Sequence, residues 1–273
     1  MNNGILKKED YEEPGCPFCV PGAVTPIPVG RVMEKLDSYL DRNDYDAAER
    51  HLSYWLATAE QSLDRRGALT VLNEQIGLFR KLGRREDCLR AIEKALPLCR
   101  EAGVENTVSC GTTFLNAATG YKAFGMAETA LPLYRSAREL YEKYLHGDDA
   151  RLGGLYNNMA LTLTELGSYR EAEELFHRAL DVMASQKHGE PEMAITWLNL
   201  ADLTVAEKGM EAGEEVIAGY LDKAEALLNT PGLPEDGSLA FVLEKCAPVF
   251  GEYGYFMAAR TLAERAKRIY DRT

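Results

Sequence analysis

Between Tyr156 and Leu180 the chain reads YNNMALTLTELGSYREAEELFHRAL. Met159, Leu163, Leu166, Tyr169, Leu175, Phe176 and Leu180 alternate with the small residues Ala160, Gly167, Ala172 and Ala179. That spacing predicts two amphipathic helices that close on each other across a turn at Gly167-Ser168. Gly167 can take a positive φ and end the first helix, and Ser168 is expected to cap the second. Glu171, Glu173 and Glu174 then lie at the positive end of that second helix.

The same pattern recurs along most of the chain. A first hairpin is expected from about Arg31 to Leu63 with its turn at Asn43-Asp44, and a second from Arg65 to Arg100 turning at Gly83. A third turns at Gly125 and the fourth is the stretch above. The fifth turns near Gly209, stretched by a few residues in 210-219, and the sixth near Gly254. From Gly83 to Gly125, Gly167 and Gly209 each step is 42 residues. Self-similarity at one period means stacked repeats, because a hairpin cannot bury its apolar face alone and needs neighbours. His146-Gly147 and His188-Gly189 are also 42 apart, and each is expected to close a second helix with the glycine in the left-handed cap.

Residues 1-30 differ. Pro14, Pro17, Pro21, Pro26 and Pro28 block a long helix there, so this segment reads as a proline-rich arm whose Phe18, Ile27 and Val29 pack onto the first hairpin. It carries Cys16-Pro17-Phe18-Cys19, a spacing that suits two thiolates on one zinc ion or a redox pair. A closed zinc site needs four ligands, and a zinc shared between two chains would supply them. The domain organisation expected is an arm over 1-30 and a repeat array over 31-273.

Small residues at matching places in the second helices, Ala48, Cys88, Ala130, Ala172 and Ala259, mark close backbone approach. Cys88 there stands in for alanine, and Cys99, Cys110 and Cys246 read as small buried hydrophobes rather than nucleophiles. Tyr121, Tyr134, Tyr169, Phe176, Trp55 and Trp197 read as packing residues. The net charge of -12 argues against nucleic acid or an anionic membrane as a partner, since phosphate binding draws on clustered Lys and Arg. No stretch approaches the roughly 18 apolar residues of a membrane span, no signal-peptide order opens the chain, and the cysteine content fits a reducing compartment, so a cytoplasmic location is expected.

The order G-x-Y-x-x-A, seen as Gly167-Ser168-Tyr169-Arg170-Glu171-Ala172 and followed by Phe176 and Ala179-Leu180, resembles the tetratricopeptide repeat. With a 42-residue period and the link HGEPEMAITWLNLA, it is similar to the longer repeats of kinesin light chains, and bacterial peptide-pheromone receptors carry repeats of related form. The resemblance covers about 31-272 and implies an all-α, right-handed superhelical solenoid of about six hairpins whose first helices line a concave, partner-binding face.

Asn116, Asn158 and Asn199 fall 42 and 41 residues apart at first-helix positions, with Asn73 one residue out of step. Two readings are open. An exposed amide column can give and accept hydrogen bonds with the main chain of an extended peptide, which is what the resemblance implies; alternatively each amide bonds the neighbouring hairpin. Thr112, Thr162 and Glu165, with Arg151, share that polar face. Lys81, Arg84 and Arg85 form a basic cluster that reads as solvated surface before a carboxylate clamp. No phosphate loop, H-E-x-x-H or G-x-S-x-G is present, so no enzyme and no cofactor beyond a zinc at Cys16 and Cys19 is expected. The expected function is a scaffold that binds a protein or an extended peptide. A peptide-signal sensor whose solenoid changes shape and a metal-linked or redox-responsive assembly factor are the alternatives; homo-oligomerisation stays open.

Overall fold

The computed structural model describes residues 25-272, and among these it contains twelve α-helices and no strand. They pair in chain order into six antiparallel hairpins. These are α1 (Val29–Leu40) with α2 (Tyr45–Gln61), α3 (Arg65–Lys81) with α4 (Arg85–Glu101), and α5 (Val108–Ala123) with α6 (Ala127–Tyr144). The second set is α7 (Ala150–Glu165) with α8 (Tyr169–Ala184), α9 (Glu190–Lys208) with α10 (Met210–Leu228), and α11 (Gly237–Glu252) with α12 (Phe256–Tyr270). The fold is an all-α, solenoid-type array of repeats. It divides between Tyr144 and Leu145 into two units of three hairpins each.

The turns follow from one backbone requirement. Gly83, Gly125, Gly167, Gly209 and Gly254 all hold positive φ, from 68 to 83°, where a side chain is strained. At Gly167 the next amide, Ser168 N–H, donates back to Leu163 O at 2.8 Å, so the helix end is satisfied. Asn43, φ 54°, does the same work in the first hairpin, as a residue that tolerates the left-handed region. Ser168 stands at the N-terminus of α8, but its hydroxyl makes no capping bond, contrary to the sequence expectation.

The His-Gly pairs also behave differently from expectation. His188 itself takes the positive φ, 60°, and Gly189 is right-handed at the start of α9. A Cβ on Gly189 would lie 2.0 Å from the Met183 carbonyl oxygen, so glycine is required here for close backbone approach. His146 is exposed and its Nδ1 bonds Asp148 Oδ1 at 2.5 Å. The surplus residues of the fifth repeat became helix: α10 begins directly after Gly209 and runs for 19 residues, leaving Met210 and Val216 exposed.

Within the first unit α3 packs beside α5, and within the second α9 packs beside both α7 and α11, so first helices form a row in each. Ala48, Cys88, Ala130 and Ala172 are fully buried, as their places in the second helices require, and Cys99, Cys110 and Cys246 are buried too. Tyr134 and Phe176 are core residues; Tyr121, Tyr169, Trp55 and Trp197 are half-buried. Ala259 is half-buried, for it lines a groove of about 590 Å³ formed by α11 and α12 with Ala247, Pro248, Gly251 and Ala263. At the other end Ile27 is buried, and its amide donates to Asp64 Oδ2 at 2.9 Å. The Asp64 carboxylate also accepts from Gly67 N–H at 2.9 Å, capping α3.

Candidate functional site

The recurring asparagines form rungs between adjacent first helices. In the first unit Asn73 is buried on α3, and its Nδ2 donates to Leu69 O and to Thr113 Oγ1, both at 3.0 Å. Its Oδ1 accepts from Asn116 Nδ2 on α5 at 3.1 Å. In the second unit Asn157 Oδ1 on α7 accepts from Asn199 Nδ2 on α9 at 2.9 Å and from Thr196 Oγ1 at 3.3 Å. Among the described residues Asn158 is bound only within its own helix, Nδ2 to Gly154 O at 2.9 Å. The hairpin-bonding reading therefore holds for Asn73 with Asn116 and for Asn199.

Asn157 is a partner that the sequence reading missed. The signal was present, since 199 minus 42 is 157 and not 158. The rungs do not exhaust the amides. Asn116, Asn158 and Asn199 are half-exposed, and in each the Oδ1 accepts no hydrogen bond among the described residues. Each keeps an acceptor and a second N–H available to a ligand.

Three expected face residues are corrected. Thr162 is fully buried and its hydroxyl donates to Asn158 O at 3.0 Å. Thr112 is buried and shares a 2.7 Å hydrogen bond with the Tyr141 hydroxyl. Asn73 is enclosed as described. A helical Thr can return its hydroxyl to the backbone carbonyl one turn earlier, as Thr162 does to Asn158 O and Thr112 to Val108 O at 3.1 Å, so these side chains support the face without presenting a donor on it. Glu165 is exposed at the end of α7. Arg151 is half-buried with its guanidinium folded onto Asp149, the N-cap of α7, at 2.9 and 2.7 Å.

The basic cluster at the second turn is also engaged. Arg84 bridges Glu49 on α2 and Asp87 on α4, the latter at 2.6 Å, and Lys81 Nζ lies 4.9 Å from the Tyr45 ring centre. Arg85 is exposed. A residue that the sequence reading passed over stands on the same row: Glu74 is 8% exposed and makes no hydrogen bond or ion pair among the described residues. Burial, with the charge of Asp37 adding to it, pushes its carboxyl from 4.5 up to about 7.

Cys16 and Cys19 lie outside the described residues. Of the four described thiols, burial pushes Cys88 up to about 11 and Cys246 up to about 12. Among the described residues no group of three or more His, Cys, Asp or Glu is placed to hold a metal ion, and no helix is long and apolar enough to cross a membrane.

The rung geometry gives a stability test. Asn73→Ala removes two donors and one acceptor from a buried position and leaves Asn116 without its partner. Destabilisation of about 1–2 kcal/mol is expected in thermal or denaturant unfolding, against less than 0.5 kcal/mol for Asn158→Ala.

No family model matches the chain, and no curated protein does. Among solved structures, a Podosopora anserina protein described as a kinesin light chain with nearly identical tetratricopeptide-like repeats aligns at a TM-score of 0.53 with 17% identity, over 75% of this chain and 95% of its own. The fold is that of the tetratricopeptide-like repeat proteins. Two other tetratricopeptide-like neighbours were solved with ligands. NprR in complex with its cognate peptide NprX has a TM-score of 0.58, 17% identity, and coverage of 90% of this chain and 67% of that one. The Rap protein complexed with Competence and Sporulation Factor has a TM-score of 0.58, 13% identity, and coverage of 91% and 66%.

Proposed function

We propose that this protein is a non-catalytic interaction module that binds an extended peptide, free or as a segment of a partner protein, along its rows of first helices. The observation that carries this reading is the unspent hydrogen-bonding capacity of Asn116, Asn158 and Asn199. A half-exposed amide held at a fixed angle by its rung, or in Asn158 by the Gly154 carbonyl, with one acceptor and one donor to spare, matches the alternating N–H and C=O groups of an extended main chain. Pre-organisation matters here, because a side chain already fixed by the protein loses little entropy when the ligand arrives. The neighbour solved with its cognate peptide supports the same use of this fold.

Asn158 is the position to test, since its replacement breaks no rung. Twelve-residue peptides selected from a random displayed library against the wild-type protein should lose roughly 5- to 50-fold in affinity for Asn158→Ala, the equivalent of one or two net hydrogen bonds. Circular dichroism of the variant should stay unchanged. Selection of no peptide, or equal affinity for both proteins, would remove the reading.

A further inference from the structure

Positions 74, 116 and 158 are 42 residues apart and carry Glu, Asn and Asn. Glu74 thus occupies on α3 the place that Asn116 holds on α5 and Asn158 on α7. In the first unit it stands next in sequence to Asn73, whose amide is joined to Asn116. Where Asn116 offers a neutral amide, Glu74 offers a carboxylate at the end of a side chain that is 8% exposed, beside the enclosed Thr70, Asn73 and Gln75. No described cation reaches it. Among the described residues the charge that acts on it is that of Asp37 on α1, of the same sign.

A buried carboxyl without a partner is unfavourable unless it is neutralised or a cation joins it. Two carboxyls are too few to satisfy a divalent ion that takes six or more oxygens, and among the described residues no third ligand stands by. One organic cation, hydrogen-bonded and paired, fits the place. We infer that Glu74, with the charge of Asp37 adding to it, is a cation-recognition subsite on the first-helix row, taking the guanidinium or ammonium group of a bound peptide. The inference rests on the peptide-binding reading and adds its specificity: the ligand carries a positive group at the position that lies over α3. The overall charge of -12 agrees in sign with such a ligand.

The cation can come from a basic side chain or from the peptide's own N-terminus, and the test separates them. Peptide pools with one fixed position are prepared in three forms: N-acetylated with Arg fixed, N-acetylated with citrulline fixed, and free-amine with citrulline fixed. Arg and citrulline are nearly isosteric and differ in charge. The wild-type protein is expected to bind an Arg pool or the free-amine pools at least about tenfold tighter than the acetylated citrulline pools. Glu74→Gln, which removes a charge and keeps the shape, should abolish that difference. If acetylated citrulline pools bind the wild type as tightly as the other two, or if the preference survives in Glu74→Gln, the inference is overturned while peptide binding stands. Failure of every pool to bind the wild type would overturn both.

Discussion

Glu74→Gln is expected to make the free protein more stable at pH 8, and the gain should disappear in acid. The carboxyl titrates at 4.5 when solvated and at about 7 in the fold, where burial and the charge of Asp37 disfavour ionisation. The native state therefore holds the proton more tightly than the unfolded chain. Stability falls as pH rises from about 4.5 to about 7 and is level outside that window. At pH 8 the wild type bears the whole cost of a buried, unpaired carboxylate, and at pH 4 it bears none. One pKa unit is 1.36 kcal/mol, so the carboxylate costs about 3 kcal/mol at pH 8, and Gln, whose own amide is also buried, should stabilise by roughly 2–3 kcal/mol there. For a chain of this length that is a rise in melting temperature on the order of 5–10 °C. Thermal melts of both proteins at pH 4, 6 and 8 check it. A difference that does not depend on pH would show that Glu74 is solvated.

Phe176→Ala should cost the most of any single change considered, about 3–5 kcal/mol. The ring is fully buried on α8, with Ala172 one turn before it and Ala179 one turn after, both at zero exposure. Those alanines let backbones approach, so the ring fills space that neighbours cannot close when it is removed. The cost is the lost transfer energy plus a cavity term. Phe176→Leu retains most of the volume and should lose about 1–2 kcal/mol. In a repeat array the damage is felt first by the hairpin concerned and its neighbours, so amide exchange should rise in α7 and α8 before α1 and α2. Uniform loss of protection would contradict this.

The hairpins were readable because their signals are local. A turn glycine with positive φ, an alanine where helices touch and a large residue one turn away act within a few residues, and each recurs at 42. Ser168 and the His-Gly pairs were misread for a related reason. Whether a hydroxyl caps a helix, or which of two adjacent residues takes the left-handed φ, depends on distances that the pattern does not contain. Gly189 is glycine because the Met183 carbonyl lies against it.

The site was less accessible to pattern. A first-helix asparagine looks the same in sequence whether it faces a ligand, as Asn158 can, or a neighbouring helix, as Asn73 does. Strict use of the period would have separated Asn157, the rung partner of Asn199, from Asn158. It would also have placed Glu74 in line with Asn116, where a search for repeated asparagines does not look. The burial of Thr112 and Thr162 follows from hydroxyl bonds that only the three-dimensional arrangement reveals.

Main-chain recognition by the first-helix amides is the central claim, and an amide-to-ester scan of a selected peptide tests it most directly. Each ester removes one N–H donor and weakens one carbonyl acceptor while leaving every side chain in place. Two or more esters should each weaken binding to the wild-type protein by about 3- to 10-fold. At least one of them should lose its effect in Asn158→Ala. A scan in which no ester matters, with affinity carried wholly by side chains, would contradict the account.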